Sequence, residues 1–279
     1  MTDTILGHEA VIRSAVFLGV LGAMALWEVA APRRRRDIPR LLRWSNNLAL
    51  VVLDTLAVRL LFPVLAVGLA LVTAERGWGL LHLWPVPGWF AFVASVLLLD
   101  LAIYLQHVAF HAVPALWRLH RMHHADLETD VTTGLRFHPV EILLSMAIKL
   151  AVVALLGPPA LAVLTFEVLL NATAMFNHGN IRLREDLDRR LRLVLVTPDM
   201  HRVHHSWRRE ETDSNYGFNL PWWDRLFGTY RAQPAGGHEA MTVGLEQFRT
   251  RRDLWLDRML LQPLRGVDAK PLAHPAGRP

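Results

Sequence analysis

Four long apolar segments dominate the sequence and constrain its fold more than any other feature. They cover residues 10–31, about 46–73, about 89–111 and about 143–176, and a helix needs about 20 residues to cross a bilayer. Gly157-Pro158-Pro159 interrupts the last segment, which predicts either a helical hairpin or one long kinked span. No small-residue cleavage site follows the first segment, so we expect an uncleaved helix rather than a signal peptide. The pattern predicts an all-α integral membrane protein with about four transmembrane helices.

The distribution of arginine predicts how the spans are oriented. Arg33 to Arg43 flank the first two apolar segments, whereas the loop at 74–88 carries one arginine, Arg76. Because basic loops stay in the cytoplasm, we expect residues 33–43 to be cytoplasmic and the N-terminus to be outside. The net charge of +5 is then explained by the membrane flanks, without a nucleic-acid partner. The preference for arginine over lysine is typical of GC-rich bacterial genomes and favours a bacterial inner membrane protein.

Three regions follow from these patterns. Residues 1–45 contain the first transmembrane helix and the basic cytoplasmic loop, and residues 46–260 form the main membrane-embedded domain. Residues 261–279 are rich in Pro, Gly and Ala and are expected to be a disordered tail. Within the main domain, residues 182–195 have the pattern of an amphipathic helix that lies on the membrane surface.

Histidine is concentrated in three short motifs, two of which read HRxHH. Residues three and four apart share a helix face, so the rings of each motif project together. An unpaired polar side chain beside a membrane span is costly, which favours metal binding as the reason for the clustering. The chain has no cysteine, so a metal must be held by histidine and carboxylate. The motif residues are His107 and His111, then His120, His123 and His124, and finally His201, His204 and His205.

The number of these histidines predicts two metal ions. One catalytic metal rarely uses more than about four protein ligands, so eight histidines suit a pair of ions. His138 in RFHPVE and His178 in NHGN are two further candidate ligands at predicted helix ends. Together they predict a helical, His-rich metal-binding cap on the cytoplasmic side. The other histidines have no such context and are expected to be ordinary surface or core residues: His8, His82, His238 and His274.

Two polar residues of the third span are candidates for orienting a metal ligand. Asp100 and Tyr104 lie seven and three residues before His107, and therefore on the same helix face. A carboxylate in an apolar helix needs a partner, and the second N–H of a ligand imidazole would provide one. The alternative is that both are polar residues at the boundary of the helix interior.

Three classes of protein fit these features: an oxygenase, a metal transporter or store, and a zinc-dependent hydrolase. The sequence has no HExxH and no ExxH, which argues against a zincin protease and against the soluble di-iron carboxylate bundle. A transporter would need ligands along a path across the membrane, whereas the motifs lie on one side. A hydrolase would need a general base, and the near carboxylates are Asp126, Glu128 and Asp199.

The motifs taken together resemble those of one family. RFHPVE follows the second histidine motif, NHGN precedes the third, and SNYGFNLPWWDRLFGTY closes the pattern at Ser214–Tyr230. Over residues 40–232 the chain is similar to the fatty acid hydroxylase superfamily, which contains sterol desaturases, sterol methyl oxidases, fatty acid hydroxylases and alkylglycerol monooxygenases. Acyl-CoA desaturases also carry three histidine motifs, but separate the first two by more than the eight residues between His111 and His120.

The resemblance implies a membrane-bound di-iron oxygenase in residues 46–260. The ten candidate histidines, with His178 and His138 completing the set, would hold two irons. Dioxygen would be a co-substrate, and a lipid such as a sterol or a fatty acyl chain would be hydroxylated or desaturated. The chain has no cysteine for a ferredoxin module and no GxGxxG, so a separate electron-donor protein is implied. Arg202, Arg208 and Arg209 would either dock that donor or face lipid phosphates.

Overall fold

The regular structure is helical in the part of the chain that the structure describes. The computed structural model describes residues 2–266. In chain order its α-helices are α1 (Thr2–Gly7), α2 (Glu9–Ala30), α3 (Arg40–Leu61), α4 (Ala66–Arg76), α5 (Leu80–Leu83), α6 (Gly88–Ala112), α7 (Pro114–His124), α8 (Pro139–Leu156), α9 (Ala160–Asn177), α10 (Glu185–Leu191), α11 (Pro198–His204), α12 (Arg209–Thr212), α13 (Trp222–Leu226), α14 (Gly237–Ala240) and α15 (Leu256–Leu261). Short 3₁₀ helices occupy Thr133–Leu135, Arg251–Leu254 and Gln262–Leu264. The predicted all-α fold class is confirmed.

Five helical segments are long and apolar enough to cross a membrane, judged by length and composition. They are Glu9–Ala30, Arg40–Leu83, Gly88–Ala112, Pro139–Leu156 and Ala160–Asn177. The sequence predicted about four because its last apolar segment allowed either a hairpin or a kinked span. The structure has the hairpin, since α8 ends at Gly157 in the left-handed conformation and Pro159 precedes α9.

Two glycines show that neighbouring connections meet at one end of the helices. A Cβ built on Gly79 would lie 2.3 Å from the backbone nitrogen of Gly157. Both glycines have positive φ, 103° and 61°, a region that residues with a Cβ rarely adopt. The connection between α4 and α6 therefore packs directly on the turn between α8 and α9.

The opposite end of the helices carries the histidine motifs. Pro32, after α2, forms an isolated bridge with Ile181, after α9. Arg43, near the start of α3, forms an ion pair with Asp126, which follows α7. The basic segment 33–43 and the histidine motifs thus lie on the same side of the spanning helices. The assignment of that side to the cytoplasm stays a prediction.

An apolar core holds the spanning helices in place next to the histidine motifs. Leu99 and Ile103 of α6, Val153 of α8 and Phe166 of α9 are buried in it. The same core includes Ala174, which lies one turn before the end of α9. Close packing of this kind leaves little room for backbone shifts, so the last turns of α6 and α9 are fixed where they carry histidine.

The ends of the main domain differ from the sequence pattern. The surface helix predicted at 182–195 is shorter, because α10 covers Glu185–Leu191. At the C-terminus, Gln262 and Pro263 are buried, and Arg121 donates to the carbonyl of Gln262 at 2.8 Å. Ordered structure therefore continues past residue 260. Residues 267–279, with most of the predicted tail and His274, lie outside the described residues.

Candidate metal centre

Nine of the candidate histidines come together in two buried groups. In each group the ring nitrogens that the residues offer all lie within 4.8 Å of one another. None of the nine side chains is more than 3% exposed. The first group contains His107, His111, His120, His124 and His204, and the second contains His123, His178, His201 and His205.

Each HRxHH motif divides its rings between the two groups, which explains the repeat. On α7, His120 and His124 belong to the first group, while His123 belongs to the second. At α11 the assignment is reversed, because His201 and His205 belong to the second group and His204 to the first. Consecutive helical residues differ in direction by about 100°, so a His-His pair aims its two rings at two places.

The two groups are neighbours. The rings of His124 in the first group and His205 in the second stack, with centroids 4.7 Å apart. The ring centroids of His120 in the first group and His123 in the second lie 5.2 Å apart. The two groups are therefore adjacent parts of one centre, and imidazole rings from both groups pack against each other where they meet.

The hydrogen bonds of His107 and His204 leave two lone pairs facing each other. His107 Nδ1 lies 2.7 Å from the carbonyl oxygen of Tyr216, and His204 Nδ1 lies 2.7 Å from that of Ser214. A carbonyl only accepts, so a neutral ring carries its proton on Nδ1 and leaves Nε2 unprotonated. Yet the two Nε2 atoms lie 3.1 Å apart. A cation bound by both nitrogens removes that repulsion.

The same arrangement recurs in the second group. His123 Nδ1 lies 3.1 Å from the carbonyl oxygen of Arg136, and His178 Nδ1 lies 2.7 Å from that of Ala174. Their Nε2 atoms are 3.1 Å apart, again with no proton to share. Both ring nitrogens of His205 are buried without a hydrogen-bond partner among the described residues. The second group is therefore also arranged to hold a cation.

Burial keeps these rings in the neutral form that binds metal. It lowers the pKa of His120 to about 3 and the pKa of His178 to about 4. Burial also lowers the pKa of His124 and His205 well below the ordinary value, and neighbouring histidines lower it further. Metal ligation requires an unprotonated imidazole, so no protons need to be displaced at neutral pH.

The first group offers more nitrogens than zinc usually takes in proteins. Imidazole nitrogen suits zinc, copper, iron and nickel, but zinc in proteins almost always takes four ligands in structural sites and three in catalytic ones. The first group offers five nitrogens, which is one more than a four-coordinate zinc accepts. Five- or six-coordinate metals accommodate such a set.

A family comparison agrees with this geometry. Residues 92–229, which include all nine grouped histidines, match the family model described as fatty acid hydroxylase. The chain belongs to the fatty acid hydroxylase superfamily.

Several curated relatives of this superfamily member are lipid-modifying enzymes. The ornithine lipid hydroxylase OlsE of Rhizobium tropici is 32% identical over 155 residues, which are 55% of this chain and 46% of that protein. Human alkylglycerol monooxygenase is 29% identical over 151 residues, covering 52% of this chain and 31% of that protein. The fatty acid hydroxylase vlmA of Lecanicillium sp is 27% identical over 168 residues, with 50% and 43% covered. The chain spans less than half the length of these relatives. No solved structure matches the chain.

The closing signature of this fatty acid hydroxylase domain positions two of the histidines. The carbonyls of Ser214 and Tyr216 accept from His204 and His107. Between them, Asn215 adopts a positive φ of 52°, and its side chain donates to the carbonyls of Met200 and Arg231. The strained turn therefore presents two carbonyls to two rings of the first group.

Asp100 and Tyr104 have partners other than the grouped histidines, so the structure does not show the first of the two roles that their spacing allows. The two oxygens of Asp100 accept from Asn219 Nδ2 and Trp223 Nε1, each at 2.8 Å. The hydroxyl of Tyr104 lies 2.9 Å from Thr229 Oγ1. Both residues therefore anchor the closing signature to α6. Carbonyls of the same segment accept from His204 and His107.

His138 lies outside both groups, whereas Glu141 of the same motif contacts one of them. The Nδ1 of His138 accepts from the backbone N–H of Val140 as the N-cap of α8, and its Nε2 lies 3.2 Å from the carbonyl of Leu260. Glu141, which the sequence did not single out, has Oε1 2.6 Å from His120 Nδ1. The carboxylate of RFHPVE, not its histidine, contacts the centre.

The remaining described histidines lie outside the two groups, and only two of the three arginines suggested to dock the electron donor are exposed. His8 and His82 are exposed. His238 is buried, and its Nε2 lies 3.7 Å from Asp199. Arg202 is 2% exposed and pairs with Asp199, so it cannot face a partner protein. Arg208 and Arg209 are exposed.

Proposed function

We propose that the chain is a membrane-bound di-iron oxygenase that hydroxylates or desaturates a lipid with dioxygen and external electrons. The observation that carries the proposal is the convergence of unprotonated Nε2 atoms, 3.1 Å apart, within two adjacent groups of buried histidines. Family membership supports the same reading. His138 is not included among the proposed ligands.

The nine grouped histidines would hold the two irons, five in the first group and four in the second. Bound iron supplies the redox chemistry that dioxygen activation and oxidation of an unactivated C–H bond require. The protein's part is to orient the ligands and to exclude water. Phe137 stacks on His123 with ring centroids 4.5 Å apart, and Phe110 and Phe218 are buried beside His120 and His107.

A cavity of about 390 Å³ supports a lipid substrate. It is lined by His107 and His120 at the metal centre and runs between the spanning helices past Phe17 and Leu170. The names of the relatives describe action on ornithine lipids, alkylglycerols and fatty acids. We infer a substrate with an apolar chain that reaches the cavity from the bilayer.

The electron donor is a separate protein in this proposal. The chain has no cysteine, so it offers no thiolate for an iron–sulfur cluster of its own. The exposed Arg208 and Arg209 near the third histidine motif would attract an acidic carrier. We place the centre on the cytoplasmic side of a bacterial inner membrane.

Metal analysis combined with an oxygen label tests the proposal. Full-length protein purified in detergent from iron-supplied cells should contain close to two irons per chain, and His204→Ala should contain fewer. Lipid extracted after reduction under isotopically labelled dioxygen should carry the label if the product is hydroxylated. His8→Ala is the matched control, because His8 is exposed and far from the groups in sequence.

Two other outcomes would reject the oxygenase. Tightly bound zinc that iron cannot replace, with water-dependent cleavage of a lipid, would establish a zinc hydrolase instead. Metal that binds and leaves with no turnover of any lipid would favour a metal-binding or transport protein.

A further inference from the structure

The cavity beside the metal centre contains an acidic side chain that nothing in residues 2–266 neutralises. Asp54 of α3 lines the cavity, and this residue is 8% exposed. Its Oδ1 is buried, and no donor among the described residues reaches it. Asp54 lies within a spanning segment, where an uncompensated carboxylate is especially costly.

The other acidic residues of the cavity all have partners. Glu141 contacts His120 through Oε1. Glu167 forms ion pairs with Lys149 at 2.7 Å and with Arg13. Glu9 pairs with Arg13 as well.

The cations of the cavity do not compensate Asp54. Lys149 and Arg13 are engaged by Glu167. Arg59, the next cation along α3, lines the cavity but is exposed. Asp54 is thus the acidic side chain of this lining that has neither an ion pair nor a histidine contact among the described residues.

Two further oxygens near the cavity also lack a hydrogen-bond donor among the described residues. Glu141, a second carboxylate, lines the same cavity and has a buried Oε2 without a partner among the described residues. Gln106 also lines the cavity, and its buried Oε1 has no hydrogen-bond partner among the described residues. Three side chains of the lining thus each carry a buried acceptor oxygen without a hydrogen-bond partner among the described residues. A ligand group that donates hydrogen bonds and carries positive charge matches such a lining.

We propose that the substrate is an amine-bearing lipid whose ammonium group binds Asp54 while its apolar chain occupies the cavity next to His107 and His120. The inference rests on the proposed lipid oxygenase and adds the chemical class of its substrate. A carboxylate headgroup fits less well, because Arg13 and Lys149 of the lining are already paired with Glu167 and Arg59 is exposed. An alcohol would donate a hydrogen bond but has no charge with which to pair with Asp54.

A matched series of probes separates these cases. We would measure binding of a long-chain primary amine, the alcohol and the carboxylate of equal chain length to the full chain in neutral detergent, at neutral pH. The amine should bind at least about thirtyfold more tightly than the carboxylate, as expected for a buried charge pair. Asp54→Asn should abolish most of that preference.

A control variant and a stability measurement show whether Asp54→Asn loses the preference for the amine merely because the protein unfolds. Thr55→Val is the control, because Thr55 also lines the cavity but its hydroxyl donates to its own helix at Val51; it should keep the preference for the amine. Asp54→Asn should leave the Tm of the ligand-free protein unchanged, because Oδ1 has no hydrogen-bond donor that the substitution would lose. A purely structural Asp54 would instead lower Tm on substitution.

The results distinguish failure of this inference from failure of the proposed function. Equal binding of amine and carboxylate, or an unchanged preference in Asp54→Asn, would overturn the amine-lipid assignment even if two irons and labelled product are found. A preference for the amine that Asp54→Asn removes would uphold the binding site even in a protein that binds no iron.

Discussion

Glu141 and His120 form a hydrogen bond of 2.6 Å between Oε1 and Nδ1. An ionised carboxylate only accepts, so in that form Glu141 would hold the proton of His120 on Nδ1 and leave Nε2 free, 3.0 Å from His107 Nε2. A carboxylate behind a ligand imidazole raises the basicity of the ring and holds its orientation. Among the grouped histidines, His107, His123, His178 and His204 are instead held by backbone carbonyls.

Substitution of Glu141 should weaken the first histidine group selectively. Glu141→Gln keeps an oxygen near His120 Nδ1 but removes the charge, and loss of such a partner typically reduces metal affinity about 10–100-fold. Competition with a chelator, followed by elemental analysis, measures this. Glu239→Gln is the control, because Glu239 is 68% exposed at its side chain. Equal metal retention in both variants would contradict the role of Glu141.

His178 and His138 should respond oppositely to substitution. His178→Ala removes one of the four nitrogens of the second group, so about half of the bound metal should be lost. His138→Asn retains an N-cap acceptor and should leave metal content unchanged, whereas His138→Ala should cost about 1 kcal/mol of stability through the lost cap. Metal content and Tm in detergent distinguish the two residues. Metal loss in His138→Asn would return His138 to the ligand set.

The sequence predicted which histidines come together because ring direction follows helical spacing, and their role as metal ligands stays a prediction. His120, His123 and His124 needed only the 3.6-residue period to be placed together. The partners behind the rings were harder to predict. The carbonyls of Ser214 and Tyr216 carry no side-chain signal, and they are brought to His204 and His107 by the conformation of Asn215.

Arg43 of the basic segment 33–43 shows a second limit of prediction from sequence. Arg43 was counted among residues that mark the membrane flank, but it is 1% exposed and donates to both oxygens of Asp126, at 2.9 and 2.7 Å, and also to Asp130. Charge counts along a sequence cannot separate such an internal ion pair from a lipid-facing arginine. The segment 33–43 thus has a structural role next to the second histidine motif.

Removal of Arg43 should destabilise the cap strongly. Arg43→Met leaves the buried carboxylates of Asp126 and Asp130 without their main cation, and breaking a buried pair in this way costs about 3–5 kcal/mol. Thermal unfolding in detergent should show a large drop in Tm. Arg184→Met, whose pair with Asp186 is exposed, should leave Tm unchanged. A similar small effect in both variants would mean that Arg43 and its carboxylates are not coupled as observed.

Acid should destabilise the metal-free protein. Burial holds the pKa of His120 at about 3 and of His178 at about 4, against an ordinary value of 6.5. Between these values the unfolded chain binds more protons than the folded one, so this stability is complete above pH ~6.5 and is lost as the pH falls toward ~4. Tm measured across this range after chelation should fall, and less steeply in His178→Leu. A flat profile would contradict burial of neutral rings.

Labelling of single cysteines should settle the orientation of the centre. The chain has no cysteine, so Arg35→Cys, Pro85→Cys and Arg208→Cys each introduce one thiol at an exposed position. Arg35 follows α2 and Arg208 lies beside the third histidine motif, at the end opposite to the connection that contains Pro85. An impermeant thiol reagent added to intact cells should label Pro85→Cys, and should label the other two only after lysis. Labelling of Arg35→Cys or Arg208→Cys in intact cells would place the centre outside the cytoplasm, where a cytoplasmic electron carrier could not reach it.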